Sequence, residues 1–254
     1  MNNIEIALLV ENGVCDVNLL GEWGMSMYIK YKDYEFLFDT GATGIFIENS
    51  KKMGIDLSKI ELIVLSHHHD DHVGGIINTN FADNKYILAH SEVFKKVGEK
   101  IKGNYKKIIS DNIYNISDEI YFLGEIPRKT RFEKGNYGKD SMLDDTALAI
   151  KTDKGVVVIT GCSHSGIVNI CEYAKKVTGE NKIYGVLGGF HLLDSFGGID
   201  DHKKEQLNET INYFKKENPK YLYPFHCVDF NILSELKNIF NIEKLSTGSK
   251  IVLK

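Results

Sequence analysis

Short apolar runs rich in β-branched residues alternate along this chain with amphipathic stretches of helical spacing. That alternation predicts strands and helices in turn. Ile4 to Val10 reads as a first strand, and Asn12-Gly13 with Asp16 as a loop. Trp23 to Tyr31 and Tyr34 to Phe38 read as two strands of a hairpin turning at Lys32-Asp33. Thr43 to Met53 carries apolar residues at helical spacing, with Gly54 suited to end it. A strand over Glu61 to Leu65, a helix over Val73 to Phe81 and a strand over Lys85 to Ala89 follow. Val93 to Lys107 is Lys-rich and has no strong period. Glu119 to Ile126 alternates as a strand does. Pro127 to Asp140, with Arg128, Arg131, Phe132, Gly135, Tyr137 and Gly138, reads as a long loop near a site. Thr146 to Thr152 and Gly155 to Thr160 form a second hairpin around Asp153-Lys154. Ile167 to Val177, Lys203 to Lys216 and Ile232 to Phe240 read as helices. Lys182 to Leu187, Tyr221 to Tyr223 and Lys250 to Leu253 read as strands. The two halves look loosely duplicated, each running hairpin to helix with His residues at strand ends.

One stretch breaks the apolar–polar rhythm. Ser66-His67-His68-His69-Asp70-Asp71-His72 follows a buried-type strand directly. Imidazoles and carboxylates are costly to desolvate there unless something binds them. His67 and His69 are two apart, so both can project from one side of an extended segment. Asp71 and His72 fall where the chain turns into a helix and can face a second metal. Four further strand ends carry ligand-capable residues: Asp39, the Cys162/His164 pair, His191 and His226. Ligand sites of α/β folds gather where such ends converge. Zinc suits His and carboxylate donors, with manganese or iron as alternatives.

Composition narrows the classes. The 254 residues, 43% hydrophobic and 26% charged, are ordinary for a globular protein. The formal net charge is -4, and Arg128 and Arg131 are the chain's two arginines, so no nucleic acid is expected as a partner. Cys15, Cys162, Cys171 and Cys227 lack paired spacing and read as reduced thiols of a cytoplasmic protein. The first residues lack a basic start and an apolar core, so no signal peptide is expected. No apolar run is long enough for a bilayer, so no membrane partner is expected. The expected partner is a small-molecule substrate, and a homo-oligomer is compatible with the sequence.

Ser66-His67-His68-His69-Asp70-Asp71-His72-Val73-Gly74-Gly75, preceded by Leu37-Phe38-Asp39-Thr40-Gly41, resembles the metal-binding motifs of the metallo-β-lactamase-fold superfamily. Gly161-Cys162-Ser163-His164, Gly188-Gly189-Phe190-His191-Leu192 and Pro224-Phe225-His226-Cys227 resemble a branch of it. That branch holds the archaeal dihydropterin–ribofuranosylaminobenzene phosphate synthases and uncharacterised bacterial relatives. The resemblance implies one domain over 1–254 with an α/β fold, an αββα sandwich of two mixed β-sheets flanked by helices. It implies a dinuclear site holding two divalent ions, with His67, His69, Asp71, His72, His164 and His226 as ligands. Asp39 and Cys162 would stand behind the ligands. Asp71 and His191 are expected to carry catalysis, and the place of Arg128 and Arg131 on the long loop suggests a substrate contact.

Several positions keep two readings. Many superfamily members have Gly-Asp where this chain has Gly161-Cys162. Cys162 is then either a thiolate ligand or a small apolar residue under the site, and the bridging role falls to Asp145 or to water alone. His191 is either a ligand in place of His226 or a proton donor beside the metals. Asp39 is equally well a turn residue before Gly41. His68 is expected to point away from His67 and His69. His90 and His202 read as surface residues, and Arg128 and Arg131 double as solvated loop charges. The function expected is a metal-dependent hydrolase using an activated water on a small phosphorylated or ester-type substrate. The alternatives are a transferase of the dihydropterin type and a metal-binding protein without catalysis.

Overall fold

The computed structural model describes residues 3–133, 138–193 and 201–254, without the side chain of Asp201. Gly135 and Tyr137 of the expected site loop lie outside the described residues. The chain falls into two compact units, one of Met1–Asp111 with Leu245–Lys254 and one of Asn112–Lys244.

In the first unit, β1 (Ile4–Val10), β2 (Ser26–Tyr31) and β3 (Tyr34–Phe38) form an antiparallel meander. β4 (Leu62–Val64), β5 (Tyr86–Ala89) and β6 (Lys106–Ile109) extend it in parallel. Parallel neighbours need crossovers. Helices α1 (Ile45–Lys52), α2 (Asp70–Asn78) and α3 (Ser91–Val97) supply them. Phe46, Val73, Ile76, Val93 and Phe94 of these helices pack with Leu37, Ile63, Ile87 and Ala89 of the strands. Those strand residues recur at every second position, so one face of the sheet takes all three helices.

The second unit repeats the scheme. A two-residue strand β7 (Tyr114–Asn115), β8 (Ile120–Phe122), β9 (Ala147–Thr152) and β10 (Gly155–Thr160) are antiparallel. β11 (Ile183–Gly189) and β12 (Tyr221–Phe225) then run parallel to β10. Helices α4 (Ile167–Thr178), α5 (Asp201–Glu217) and α6 (Phe230–Ile239) bury Ile170, Ile211, Phe214 and Leu236 with Val156, Val158 and Val186. The last strand of the chain, β13 (Lys250–Leu253), returns to the first unit and pairs antiparallel with β1, Ile4 opposite Leu253. Among the described residues no helix is long and apolar enough to cross a membrane.

The elements depart from the expected bounds for local reasons. β2 starts at Ser26 rather than Trp23, because Met25 uses its backbone on Asp71 and Gly41. α2 starts at Asp70 rather than Val73. Asp70 and Asp71 sit in its first turn, where carboxylates complement the helix dipole, and the His69 carbonyl accepts from His72 and Val73. The Lys-rich stretch hides α3 and β6, and the latter is an edge strand with mostly exposed residues. Lysine suits such an edge and blurs its period. His90, expected at the surface, is 2% exposed. Its Nδ1 accepts from Glu92 N at the start of α3, and its Nε2 lies 3.3 Å from Asp111.

Glu133 is buried over the start of α4, where its carboxylate accepts from Val168 N and Asn169 N and from the Thr130 hydroxyl. Two helix N–H groups thereby find partners. Truncating Glu133→Ala strands both, for an expected loss of about 2–4 kcal/mol in denaturant unfolding. Burial pushes the Glu133 carboxyl above its ordinary 4.5, against the pull of Val168 and Asn169. The folded chain therefore keeps a proton that the unfolded chain has released. Its contribution is full below pH 4.5 and fades as pH rises through the raised value. Glu133→Gln is expected to lack that slope, and an unchanged slope in the variant would refute the assignment.

Candidate metal centre

The first unit brings its donors together at the ends of β3 and β4. Asp39 follows β3 in left-handed backbone, φ 57°, and is fully buried. Its Oδ1 accepts from Ser66 N at 2.7 Å, and its Oδ2 accepts from Ser66 Oγ at 2.6 Å and faces His72 Nδ1 at 2.7 Å. Ser66 Oγ also lies 2.9 Å from His67 Nδ1.

These contacts fix two tautomers. An ionised carboxylate only accepts, so His72 Nδ1 carries the hydrogen and Nε2 the lone pair. Ser66 has one hydroxyl hydrogen, and Asp39 takes it. Ser66 Oγ must then accept from His67 Nδ1–H, which leaves the lone pair on His67 Nε2 as well. Asp39 thus sets both imidazoles for ligation through their outer nitrogens, the usual partnership behind a metal-bound histidine.

The other donors of this unit follow from the turn into α2. A ligating atom of His67 and one of His69 lie within 4.8 Å of each other, as do one of Asp71 and one of His72. His72 is fully buried, whereas the Asp71 side chain is 20% exposed with Oδ2 3.8 Å from His72 Nε2. The His72 carbonyl accepts from Thr40 N and Thr40 Oγ1, and the Asp71 carbonyl accepts from Met25 N. The His68 ring lies 6.5 Å from that of His67 and 4.9 Å from that of His69, with Lys96 Nζ 3.4 Å from its Nε2.

The second unit holds its own donors. β10 ends in Thr160, and Cys162 and His164 follow, both buried. Asp145 accepts from His164 N, Ser165 N and Ser165 Oγ. Its carboxylate therefore shapes the loop that carries His164. Burial raises its carboxyl to about 6 despite those three donors. The His191 ring, half-buried, lies with its centroid 4.3 Å from that of His164. His226 follows β12 and is 3% exposed. A ring nitrogen of His226 and Cys162 Sγ lie within 4.8 Å. Ser163, His191 and His226 share with Asp39 a positive φ, between 49° and 63°. Strain of this kind concentrates where side chains must be aimed.

The two arginines differ. Arg128 donates to the Met142 carbonyl at 2.7 Å, which ties down its own loop, and Arg131 is exposed. Sequence reasoning missed Glu133, because a carboxylate capping a helix begun 34 residues later leaves no local signature. It also gave Asp145 a bridging option, whereas the carboxylate is occupied by the 164–165 backbone.

The donors of each unit suit a divalent ion: in the first, paired imidazole nitrogens with set tautomers and a partly exposed carboxylate, and in the second, a thiol close to an imidazole. Replacing Asp39→Asn places an amide N–H against a donor. A loss of about 10- to 100-fold in metal affinity is expected, by calorimetry, with unchanged circular dichroism. Unaltered affinity would show that Asp39 is only a turn residue.

Comparison with known proteins gives a consistent picture. A family model described as the metallo-beta-lactamase superfamily matches residues 24–226. A Methanocaldococcus jannaschii protein named 7,8-dihydropterin-6-methyl-4-(beta-D-ribofuranosyl)-aminobenzene-5'-phosphate synthase is 30% identical over 294 residues, 99% of this chain and 97% of that one. An uncharacterised protein of the same organism is 32% identical over 259 residues, 93% of this chain and 95% of its own. Among solved structures, Tm1679, described as a metal-dependent hydrolase of the beta-lactamase superfamily, has 26% identity and a TM-score of 0.78, with 99% of each chain covered.

Proposed function

Because this chain belongs to the metallo-beta-lactamase superfamily, we propose that it is a dinuclear metal-dependent hydrolase of a small, phosphorylated or ester-type substrate. The family's motifs assign His67, His69, Asp71 and His72 of the first unit, and His164 and His226 of the second, as the residues that would hold the ions. Zinc suits this set best, since imidazole dominates it and Cys162 offers a soft donor beside His226. The observation that carries the reading is the Asp39 carboxylate, which points His72 Nε2 and, through Ser66, His67 Nε2 outward as lone pairs.

Bound divalent ions bring water's pKa toward neutrality and polarise the oxygen under attack. The chain's residues do the rest. Asp71, the partly exposed carboxylate, positions the water and accepts its proton. His191, half-buried beside His164 and outside the ligand set, donates a proton to the leaving group. Asp39 holds its imidazoles still, and Asp145 holds the His164 loop.

The test is elemental analysis of the purified chain joined to phosphodiester, phosphomonoester and lactone assays. Two equivalents of metal and metal-dependent hydrolysis support the reading. A metal-free protein that hydrolyses, or a metal-loaded one inert on every panel, counts against it. A transferase reading is favoured by one observation, the 30% identity to the named synthase across 99% of this chain. Condensation of a dihydropterin diphosphate with ribofuranosylaminobenzene phosphate, without net hydrolysis, would select it. Metal binding with neither activity would select the non-catalytic alternative.

A further inference from the structure

We propose that a cavity of the first unit, bordered by the end of α1, the turn before β4 and the connection from α2 to β5, binds a small amphiphilic anion. The apolar body of that ligand would rest on Ile55, Leu57 and Phe81, and its charged head would meet the Lys85 and Lys51 ammonium groups. The site goes beyond the hydrolase reading and does not rest on it. Its volume is about 590 Å³. Pockets that take small molecules span roughly 300–1,000 Å³ and pair an apolar lining with a few polar groups.

The apolar wall is braced. Phe81 meets the buried Phe46 edge to face, with ring centroids 5.0 Å apart. Gly54 follows α1 in left-handed backbone, φ 75°, and its N–H donates to the Lys51 carbonyl. Ile55 N then donates to the Ser50 carbonyl, which ties the turn to the helix end. Ile47, Ile55 and Phe81 pack against the core of the unit yet stay only partly buried, and all three border the cavity.

Charge selects the ligand. Lys85 donates to the Ile60 carbonyl, and its Nζ lies 4.9 Å from the Phe81 ring centroid. A carbonyl and an aromatic face hold an ammonium in place, but they leave its charge uncompensated and a donor to spare. Burial pulls the Lys85 ammonium below its ordinary 10.5, with Glu61 acting the other way. An anion beside it favours the charged form that burial disfavours. Lys51, in the last turn of α1, adds a second ammonium at the exposed rim. Asp56, an acid in the lining, is engaged locally. It accepts from Ser58 N and Ser58 Oγ, and Lys59 Nζ lies 3.8 Å from its Oδ2. An apolar wall with net positive charge complements a ligand that joins a hydrocarbon body to an anionic head. Lysine is a point charge and takes a carboxylate or a phosphate alike.

The test is calorimetry of the full-length, metal-loaded protein with octanoate and octyl phosphate. Acetate is the tail-free control and octanol the charge-free one. Saturable binding of an octyl anion is expected with a dissociation constant of about 0.1–1 mM, octanol about 10-fold weaker and acetate silent. The tighter of the two anions identifies the head group. Lys85→Met keeps an apolar stem and is expected to weaken the anions about 10-fold while leaving octanol unchanged. Lys51→Glu, on the exposed rim, is expected to weaken them about 5-fold. A carboxylate can also bind a metal, so the His67→Ala/His69→Ala variant is titrated alongside and is expected to hold octanoate as the parent does. Amine acetylation read by mass spectrometry gives an independent measure: the octyl anions should shield Lys85 and leave the exposed Lys102 unchanged. Failure of both octyl anions to bind at millimolar concentration overturns the proposal. So does equal octanoate affinity in the parent, Lys85→Met and Lys51→Glu. Loss of binding in the histidine variant alone, or Lys85 acetylated equally fast with and without ligand, also overturns it.

Discussion

Replacing His67 and His69 together by Ala is expected to remove the metal of their site and to bring activity to background. The His67 imidazole and the His69 backbone are held before any ion arrives. His67 is pinned through Ser66 to Asp39, and His69 stands at the start of α2, where its carbonyl accepts from His72 and Val73. The loss should exceed the roughly 10- to 100-fold that removal of a supporting partner costs, because ligand atoms themselves disappear. Elemental analysis and calorimetry measure it. The parent should gain thermal stability from added zinc, since binding to the folded state alone raises the unfolding midpoint. The double variant should gain less. A variant that retains two equivalents of metal, or full activity, would sink the assignment.

The second large effect is steric. An added Cβ on Gly75 would lie 2.1 Å from the Thr40 carbonyl oxygen and 2.8 Å from a ring carbon of Phe46. On Gly74 it would lie 2.2 Å from the Ala42 carbonyl oxygen. Helix propensity alone argues for alanine by about 1 kcal/mol. Here the neighbours are backbone atoms that cannot step aside, so crowding decides the sign. Gly75→Ala is expected to cost about 3–5 kcal/mol, a large share of the roughly 5–15 kcal/mol that domains possess. The midpoint of thermal unfolding and the metal content should fall together, because the same close approach seats the first turn of α2, with Asp71 and His72, against residues 40–42. An unchanged midpoint in Gly75→Ala would mean that α2 can lift away from Thr40 without harm.

The legible parts of this chain are those where chemistry and local pattern coincide. The His67–His72 cluster stands out because no apolar period accommodates it. Both hairpins, β2–β3 and β9–β10, appear as alternating runs around polar turns. The superfamily and its fold follow from the same motifs. What escapes is what only tertiary contact creates. His90 has no neighbour in sequence to mark it as buried, yet it caps α3 and meets Asp111 across the end of β6. The indifferent period of 93–107 conceals an edge strand whose lysines face solvent. Glu133 and Asp145 act at distances of 35 and 19 residues along the chain, which no window of sequence spans. Arg128, read with Arg131 as a substrate contact, also braces the Met142 carbonyl, a contact 14 residues along the chain that no local pattern foretells.

The pairing of β13 with β1 has a consequence for how the molecule is made. The first unit begins at the first strand, but its sheet gains the outer partner of β1 only when Lys250–Leu253 leave the ribosome. The second unit is continuous, Asn112–Lys244, and has all its strands in hand before then. Synthesis order and completion order are therefore reversed, and β1 keeps one edge unsatisfied until residues 250–253 are made. An open, apolar edge is a template for pairing with other chains. The nascent chain is thus most exposed to aggregation during the interval in which its second unit is already complete.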